Sequence, residues 1–148
     1  MVLRKMSAVF ALSLAAVVAS APALAQEWPM VPGDYWEVTG IDIKDGGGLK
    51  YTQWLASEWK DNMEFSKSKG WIKDYMILSN VYGRANEADL YLITVTESVA
   101  SAAEGQKRAD EFRAWKKKTI EQMQSESGNR AEYREVMSDS LLQEWKFR

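Results

Sequence analysis

Histidine and cysteine are both absent from this chain of 148 residues, and each absence excludes a set of chemistries. Without cysteine there is no disulfide framework, no zinc knuckle and no thiolate nucleophile. Without histidine there is no imidazole base, no Ser-His-Asp triad and no histidine-ligated metal or haem. We therefore expect neither a metal nor a cofactor, and the sequence names no catalytic residue.

Proline and net positive charge are also scarce. All three prolines precede residue 33, so none interrupts regular structure in the rest of the chain. Lys and Arg together number 19, against 21 Asp and Glu. Because nucleic-acid binding depends on neutralising phosphates, this slightly acidic chain is not expected to bind nucleic acid.

Residues 1–25 have the pattern of a cleavable export signal. A basic start, an apolar run and an Ala-x-Ala ending at Ala25 predict cleavage before Gln26 and location in the periplasm or outside the cell. An uncleaved anchor is disfavoured because the run is shorter than the ~20 residues of a membrane span, so no membrane association is expected after signal removal. The loss of Arg4 and Lys5 leaves 17 basic and 21 acidic residues, a net charge of −4.

The mature chain is predicted to begin with an irregular lead-in, residues 26–33, and to continue as one domain over residues 34–148. Aromatic and β-branched residues predict a first strand over Tyr35–Ile43. After three glycines, apolar residues recur every four positions and predict a helix from Leu49 to about Lys69. Gly70 then suits the C-terminal cap of this helix.

Two strands and a second helix are predicted from the middle of the chain. Apolar runs over Asp74–Tyr82 and Asp89–Glu97, separated by a short loop, predict a hairpin. A helix follows from about Gly105 to Gln124 and is broken by the turn-forming residues 125–129.

The last part of the chain is predicted to form a short helix over Arg130–Met137 and a strand over Leu141–Arg148. The main elements then have the order β-α-β-β-α-β, which is the order of the ferredoxin-like fold. The sequence therefore predicts the α+β class, with a four-stranded antiparallel sheet that carries its helices on one face.

Large apolar side chains alternate onto both faces of this predicted sheet. Leaving one such face in water is costly, because burying a single Leu, Ile or Phe stabilises a protein by about 1.5–3 kcal/mol. A second copy of the same sheet is the simplest cover, and we predict a homodimer that pairs through the sheet. Within single strands the opposed sets are Tyr35, Ile41 and Ile43 against Trp36 and Val38; Tyr75, Ile77 and Val81 against Met76, Leu78 and Tyr82; and Leu90 and Leu92 against Tyr91, Ile93 and Val95.

Several segments resemble the dimeric α/β-barrel superfamily, in which two ferredoxin-like subunits pack sheet to sheet. The resemblance spans roughly 34–148 and is carried by the element order and by Tyr51–Lys60, Ile77–Gly83, Asp89–Val95 and Glu132–Phe147. Those segments look like a branch of exported bacterial proteins to which no function is assigned. The superfamily includes cofactor-independent monooxygenases and isomerases, so the resemblance implies a dimer and leaves several activities open.

Five side chains are the candidates for a ligand site near the sheet. They are polar or aromatic residues of the first helix, the second and third strands and the loop between them: Trp59, Asn80, Tyr82, Arg84 and Tyr91. Aromatic walls with a few polar groups are typical of small-molecule sites, although the same aromatics also suit core and interface packing. The sequence therefore favours a homodimer that binds a small apolar or aromatic molecule. The alternative is a cofactor-independent monooxygenase or isomerase-like enzyme, with Asn80, Tyr82, Arg84 and Trp59 orienting the substrate.

Overall fold

The computed structural model describes residues 27–148, and the predicted signal with its cleavage site at Ala25 and Gln26 lies outside the described residues. In the described part, no helix has the length and apolar character needed to cross a membrane. The elements follow in the order β1 (Met30–Ile43), α1 (Gly48–Trp54), a π-helical turn (Leu55–Trp59), α2 (Lys60–Ser68), β2 (Asp74–Ser79), β3 (Leu90–Thr96), α3 (Ala102–Lys116), α4 (Ile120–Asn129), a 3₁₀ turn (Arg130–Glu132) and β4 (Arg134–Phe147).

The four strands form one sheet in the order β2-β3-β1-β4, and every neighbouring pair is antiparallel. The predicted α+β class and four-stranded antiparallel sheet are therefore confirmed. β1 and β3 are the central strands, while β2 and β4 are the edges.

β1 begins five residues before the predicted strand. Met30, Val31 and Pro32, which belong to the predicted irregular lead-in, pair with the end of β4. Pro32 is tolerated there because β3 pairs only with Tyr35–Ile41, so this part of β1 has a neighbour on one side only. A register shift between Pro32 and Tyr35 separates this two-stranded extension from the main sheet.

β4 replaces the short helix that was predicted over Arg130–Met137. Only Arg130–Glu132 are helical, as a 3₁₀ turn, and the strand begins at Arg134. A bulge lies opposite Gly40 and Ile41, where Ser138 and Val136 are the successive partners and Met137 is the extra residue. This bulge interrupts the apolar-polar alternation, and it explains why the sequence pattern revealed only the second half of the strand.

The second predicted helix is two helices. Lys117 adopts a left-handed conformation, with φ 53°, and ends α3. Thr119 then caps α4 through a reciprocal capping box with Gln122. Residues 125–129, which were predicted to break the helix, continue α4 as far as Asn129.

Two glycines fix the ends of the first helical segment, which spans α1, the π-helical turn and α2. Gly47, just before α1, packs so closely on Tyr133 that a Cβ atom would lie 2.4 Å from the Tyr133 carbonyl oxygen. Gly70 has a φ of 69° and ends the segment as predicted, with its N–H donating to the Lys67 carbonyl and the Trp71 N–H donating to the Ser66 carbonyl.

The core lies between the first helical segment and one face of the sheet. Tyr51, Leu55 and Trp59 of that segment pack with Ile41 and Tyr133. Strand alternation and register place the sheet residues of this core on one face, which we call the covered face; its residues include Tyr35, Ile41, Ile43, Tyr75, Ile77, Leu90 and Leu92.

The helices α3 and α4 contact the first helical segment. Phe112 and Trp115 of α3 pack on Phe65 of α2, and Arg130 at the end of α4 stacks on Trp54 of α1. Lys118, between α3 and α4, is ion-paired with Glu126. These contacts lie on the same side of the sheet as the core.

The opposite face, which we call the open face, also carries apolar side chains. Alternation and register place them together across all four strands. Its members are Trp36, Val38, Met76, Leu78, Tyr91, Ile93, Val95 and Leu142. Both faces of this sheet are therefore apolar, as the sequence predicts.

Candidate functional site

A mostly apolar groove lies between the π-helical turn and the edge strand β2. It has a volume of about 510 Å³. Trp59 forms part of one wall and meets the Tyr75 ring edge-on, with 5.4 Å between the ring centroids. The lining residues are Thr52, Leu55, Ala56, Trp59, Lys60, Tyr75, Met76, Ile77 and Leu90.

The π-helical turn shapes the helical wall of this groove. Leu55 and Trp59 mark its two ends, and both are buried. Because a π turn inserts an extra residue, such turns interrupt the regular helix surface and occur frequently at functional sites. Ala56 lies between them on the exposed surface of the groove, where its small side chain leaves the space open.

A phenol-carboxylate pair stands at the groove. The Tyr75 hydroxyl donates a hydrogen bond to the Glu64 carboxylate, and this bond raises the pKa of Tyr75. The Lys67 ammonium lies 5.8 Å from the centre of the Tyr75 ring. Tyr75 thus lines the groove, while its hydroxyl is held by Glu64, which is not among the lining residues.

A second cleft, of about 530 Å³, is more polar and lies between the sheet and the helices near β1 and β4. Its charged groups already have partners. Glu37 accepts a hydrogen bond from Thr94, and Asp139 accepts one from Thr39, both at 3.3 Å. Arg108 is paired with Glu104 at 2.9 Å. The charged side chains of this cleft are therefore already paired within the chain, which leaves fewer groups to bind a ligand than its size suggests.

Among the five predicted site residues, Trp59 lies in the apolar groove and Asn80 does not. Trp59 is 8% exposed and belongs to the core. The Asn80 side-chain amide donates to the Ala88 carbonyl at 3.1 Å and to the Glu87 carboxylate at 3.3 Å. These bonds tie the two ends of the β2–β3 loop together, which gives Asn80 a structural role.

The other three predicted residues lie away from Trp59. Tyr82 is 92% exposed at the tip of the β2–β3 loop. The Arg84 backbone N–H donates to the Glu87 carboxylate, and its side chain is exposed. Tyr91 is on the open face, opposite to the face on which Trp59 packs. A single chain therefore does not bring the five together into one site.

The β2 boundary explains this dispersal. The strand was predicted to reach Tyr82 but ends at Ser79, so Asn80, Tyr82 and Arg84 belong to the loop.

The sequence did contain a pattern from which the groove could have been predicted. Leu55 and Trp59 recur at helical spacing while Tyr75 and Ile77 alternate on a strand, and pairing these two patterns gives the two walls.

Within the described chain, no cluster of three or more acidic side chains is placed to hold a metal ion. Comparison with protein-family models finds no match for this chain, and comparisons with curated proteins and with solved structures likewise find none.

Proposed function

We propose that the chain is an exported protein that pairs through the open face of its sheet and binds a small apolar or aromatic molecule in the groove beside Trp59. The observation that supports the ligand is the groove, whose walls are mostly apolar and include two aromatic rings. Export rests on the leader pattern of residues 1–25 and places the protein in the periplasm or outside the cell.

The anatomy of the open face supports pairing with a second copy. Its centre is apolar, whereas its charged residues stand at the strand ends: Asp42 and Glu135 at one end, Glu144 and Lys146 at the other. An apolar centre with a charged rim is the usual composition of a homodimer interface. Leu142 and Leu78 remain 55% and 49% exposed on this face in the single chain.

The size of the open face also suits a dimer. Two strands of 14 residues and the shorter β2 and β3, of 6 and 7 residues, give the face several hundred Å² at about 3.3 Å per residue and about 4.8 Å between strands. Typical stable interfaces bury about 800 Å² on each partner, counting side chains.

The proposed fold type is ferredoxin-like, paired as in a dimeric α/β barrel. The support is the strand order β2-β3-β1-β4, in which the two strands that precede the helical segments are central. A sheet with its helices on one side leaves the other side free for a partner sheet.

One observation favours the enzymatic alternative, a cofactor-independent monooxygenase or isomerase-like protein. Tyr75 lines the apolar groove, and its hydroxyl, which is hydrogen-bonded to Glu64, is the polar group that would position a bound substrate. If this alternative is correct, electron-rich phenols will be turned over, with oxygen consumption for a monooxygenase, and Tyr75→Phe will lower the rate. Unchanged turnover in Tyr75→Phe would exclude that role.

The proposed ligand groove is tested by filling it. The neutral fluorescent probe N-phenyl-1-naphthylamine should bind the wild-type protein with a rise in fluorescence, and Ala56→Trp should abolish that rise by occupying the groove. Ala114→Trp, at an exposed position of α3, is the matched control. Equal binding by both variants would contradict this location of the site.

Native mass spectrometry of protein purified from its own host tests the dimer and the natural ligand together. We expect the mass of two mature chains that begin at Gln26, with a small molecule retained. A monomer without added mass would count against both proposals, whereas a dimer without added mass would leave pairing supported and contradict a tightly retained ligand.

A further inference from the structure

A small cavity lies on a different side of the first helical segment from the apolar groove, and two cationic and two anionic side chains line it. It has a volume of about 210 Å³ and lies between α1, α4 and the 3₁₀ turn. Its lining residues are Lys50, Trp54, Glu58, Glu126, Asn129, Arg130 and Tyr133.

Arg130 is held rigidly at this cavity. Its guanidinium lies 4.5 Å from the centre of the Trp54 ring, and its Nη1 donates to the Glu126 carbonyl at 3.1 Å. Trp54 is itself stacked on Tyr51, with 5.7 Å between the ring centroids. The guanidinium plane is therefore fixed before any ligand arrives, which lowers the entropic cost of binding.

The Nε–H of Arg130 is buried and has no acceptor among residues 27–148, and the same is true of Arg134. Arg134 pairs with Ile43 in the sheet and so lies on the covered face, where Tyr51 packs. Nε forms one side of the two-pronged edge with which arginine binds carboxylate and phosphate groups. A buried donor of a charged group without an acceptor is costly, and a bound anion would remove that cost.

The carboxylates of the cavity do not supply the missing acceptor. Glu58 is paired with Lys116 at 3.1 Å, and this hydrogen bond is the main cause of its lowered pKa. Glu126 is paired with Lys118 at 2.7 Å. Outside the lining, Glu132 holds Lys50 at 3.0 Å. Neither Arg130 nor Arg134 forms a direct ion pair within the described residues, although the Glu126 and Glu58 charges act on Arg130 from a distance.

The charges also act on one another. Burial lowers the pKa of Arg130, and the neighbouring Arg134 charge lowers it further. Both arginines act on the Tyr51 phenol as well. The two positive groups are close enough to repel each other. An anion between or beside them would relieve this repulsion.

We propose that this cavity binds a small oxyanion, a carboxylate or a phosphate, on the Nε edge of Arg130, with Arg134 reinforcing its positive charge. The faces of the Trp54 ring are already covered by Tyr51 and Arg130, so the cavity selects for the charged group rather than for an aromatic body. The proposal is independent of the dimer and of the apolar groove.

The test follows the Trp54 indole N–H signal by NMR while phosphate or acetate is added to the protein, with sodium chloride as the control of equal ionic strength. Trp54→Phe assigns the signal. We expect a saturable shift with a Kd of about 1 mM for at least one of the two anions, and the anion that binds identifies the source of the oxyanion. No shift beyond that of chloride, even at about fifty times this concentration, would overturn the proposal.

The arginine variants separate binding from stability. Arg130→Gln should weaken the anion about tenfold or more, because it removes a charge-assisted hydrogen-bonding edge. Arg108→Gln is the matched control, since Arg108 also lies over a tryptophan ring, that of Trp71, but is paired with Glu104. If Arg130→Gln fails to fold, Arg134→Gln serves in its place, with a loss of affinity again expected. Undiminished binding in a folded arginine variant would contradict the assignment.

Discussion

The two faces of the sheet have similar apolar composition but different surroundings. On the covered face, Ile41 is 2% exposed beneath the first helical segment, whereas on the open face Leu142 is 55% exposed. Strand alternation alone does not distinguish these two positions, because each belongs to an apolar row. The difference teaches that composition determines which faces need a cover, and topology determines which face the chain covers itself.

The contrast in exposure is smaller on the central strands of the sheet. Ile93 and Val95 are buried although they are on the open face. Their register neighbours include Val38, Met76 and Trp36, which flank them across the sheet. The open face is therefore shielded at its centre by its own side chains, and its exposed apolar residues lie on the edge strands.

The largest expected effect belongs to the covered face. Ile41→Ala should reduce the free energy of unfolding by about 2–5 kcal/mol, because it removes buried methyl groups and leaves a cavity beneath the first helical segment. Urea unfolding followed by circular dichroism measures the change. Leu49→Ala, at an exposed position of α1, is the control. Equal losses in the two variants would show that the covered face is not the core.

Alkaline pH tests the same core through Tyr51. Burial raises the pKa of the Tyr51 phenol from 10.0 to about 12, so the folded state holds this proton more tightly than the unfolded state does. The resulting stability, about 2.5 kcal/mol, is fully present below pH ~10 and is lost as the pH rises from ~10 to ~12. Tyr51→Phe should remove this part of the alkaline loss.

Unfolding curves at several pH values between neutral and strongly alkaline would measure this effect. Lys73 and Lys118 also have raised pKa values, because of Asp34 and Glu126, so part of the alkaline loss should remain in the variant. Tyr82→Phe is the control, since the Tyr82 ring lies in solvent. The interpretation fails if Tyr51→Phe and Tyr82→Phe lose stability alike.

A smaller effect is expected where α4 begins. Thr119→Ala removes the side-chain cap and half of the capping box, and should cost about 1 kcal/mol. Ser125→Ala, in the middle of α4, should change stability by no more than about 0.5 kcal/mol. Thermal unfolding compares the two variants, and a Thr119→Ala protein as stable as wild type would exclude a contribution from the cap.

The sequence predicted the fold best where one simple period describes an element. Alternation gave the opposed sets of β1 and β3 correctly and those of β2 as far as Leu78, whereas Val81 and Tyr82 lie in the loop after β2. Gly70 ended the first helical segment as expected. The prediction was wrong where a local device interrupts the period. The bulge at Met137 interrupted the alternation, so half of β4 was not predicted. Lys117 ended α3 in a left-handed conformation that could not be predicted from a lysine side chain. The Thr119–Gln122 capping box was readable in the sequence and would have separated α3 from α4.

The candidate site was less predictable because it depends on which elements face one another. Trp59 could be chosen from its aromatic side chain, but the groove also needs Ala56 and Ile77, whose residue types carry no functional signal. Asn80, Tyr82 and Arg84 attracted attention as polar groups near a strand, yet the early end of β2 places them in a loop. The unpaired Nε groups of Arg130 and Arg134 are visible only once the acceptors around them are known.

Sedimentation velocity of the wild-type protein and of Leu142→Glu, from submicromolar to about 100 µM, tests the pairing of the open face most directly, because dimer formation depends on protomer concentration. The wild type should sediment as a dimer at micromolar concentration, and Leu142→Glu should sediment as a folded monomer because its charge would be buried in the interface. Leu49→Glu, which places the same charge on α1 outside the open face, should remain dimeric. A wild-type protein that stays monomeric throughout, or a Leu142→Glu variant that dimerises as wild type does, would contradict the account.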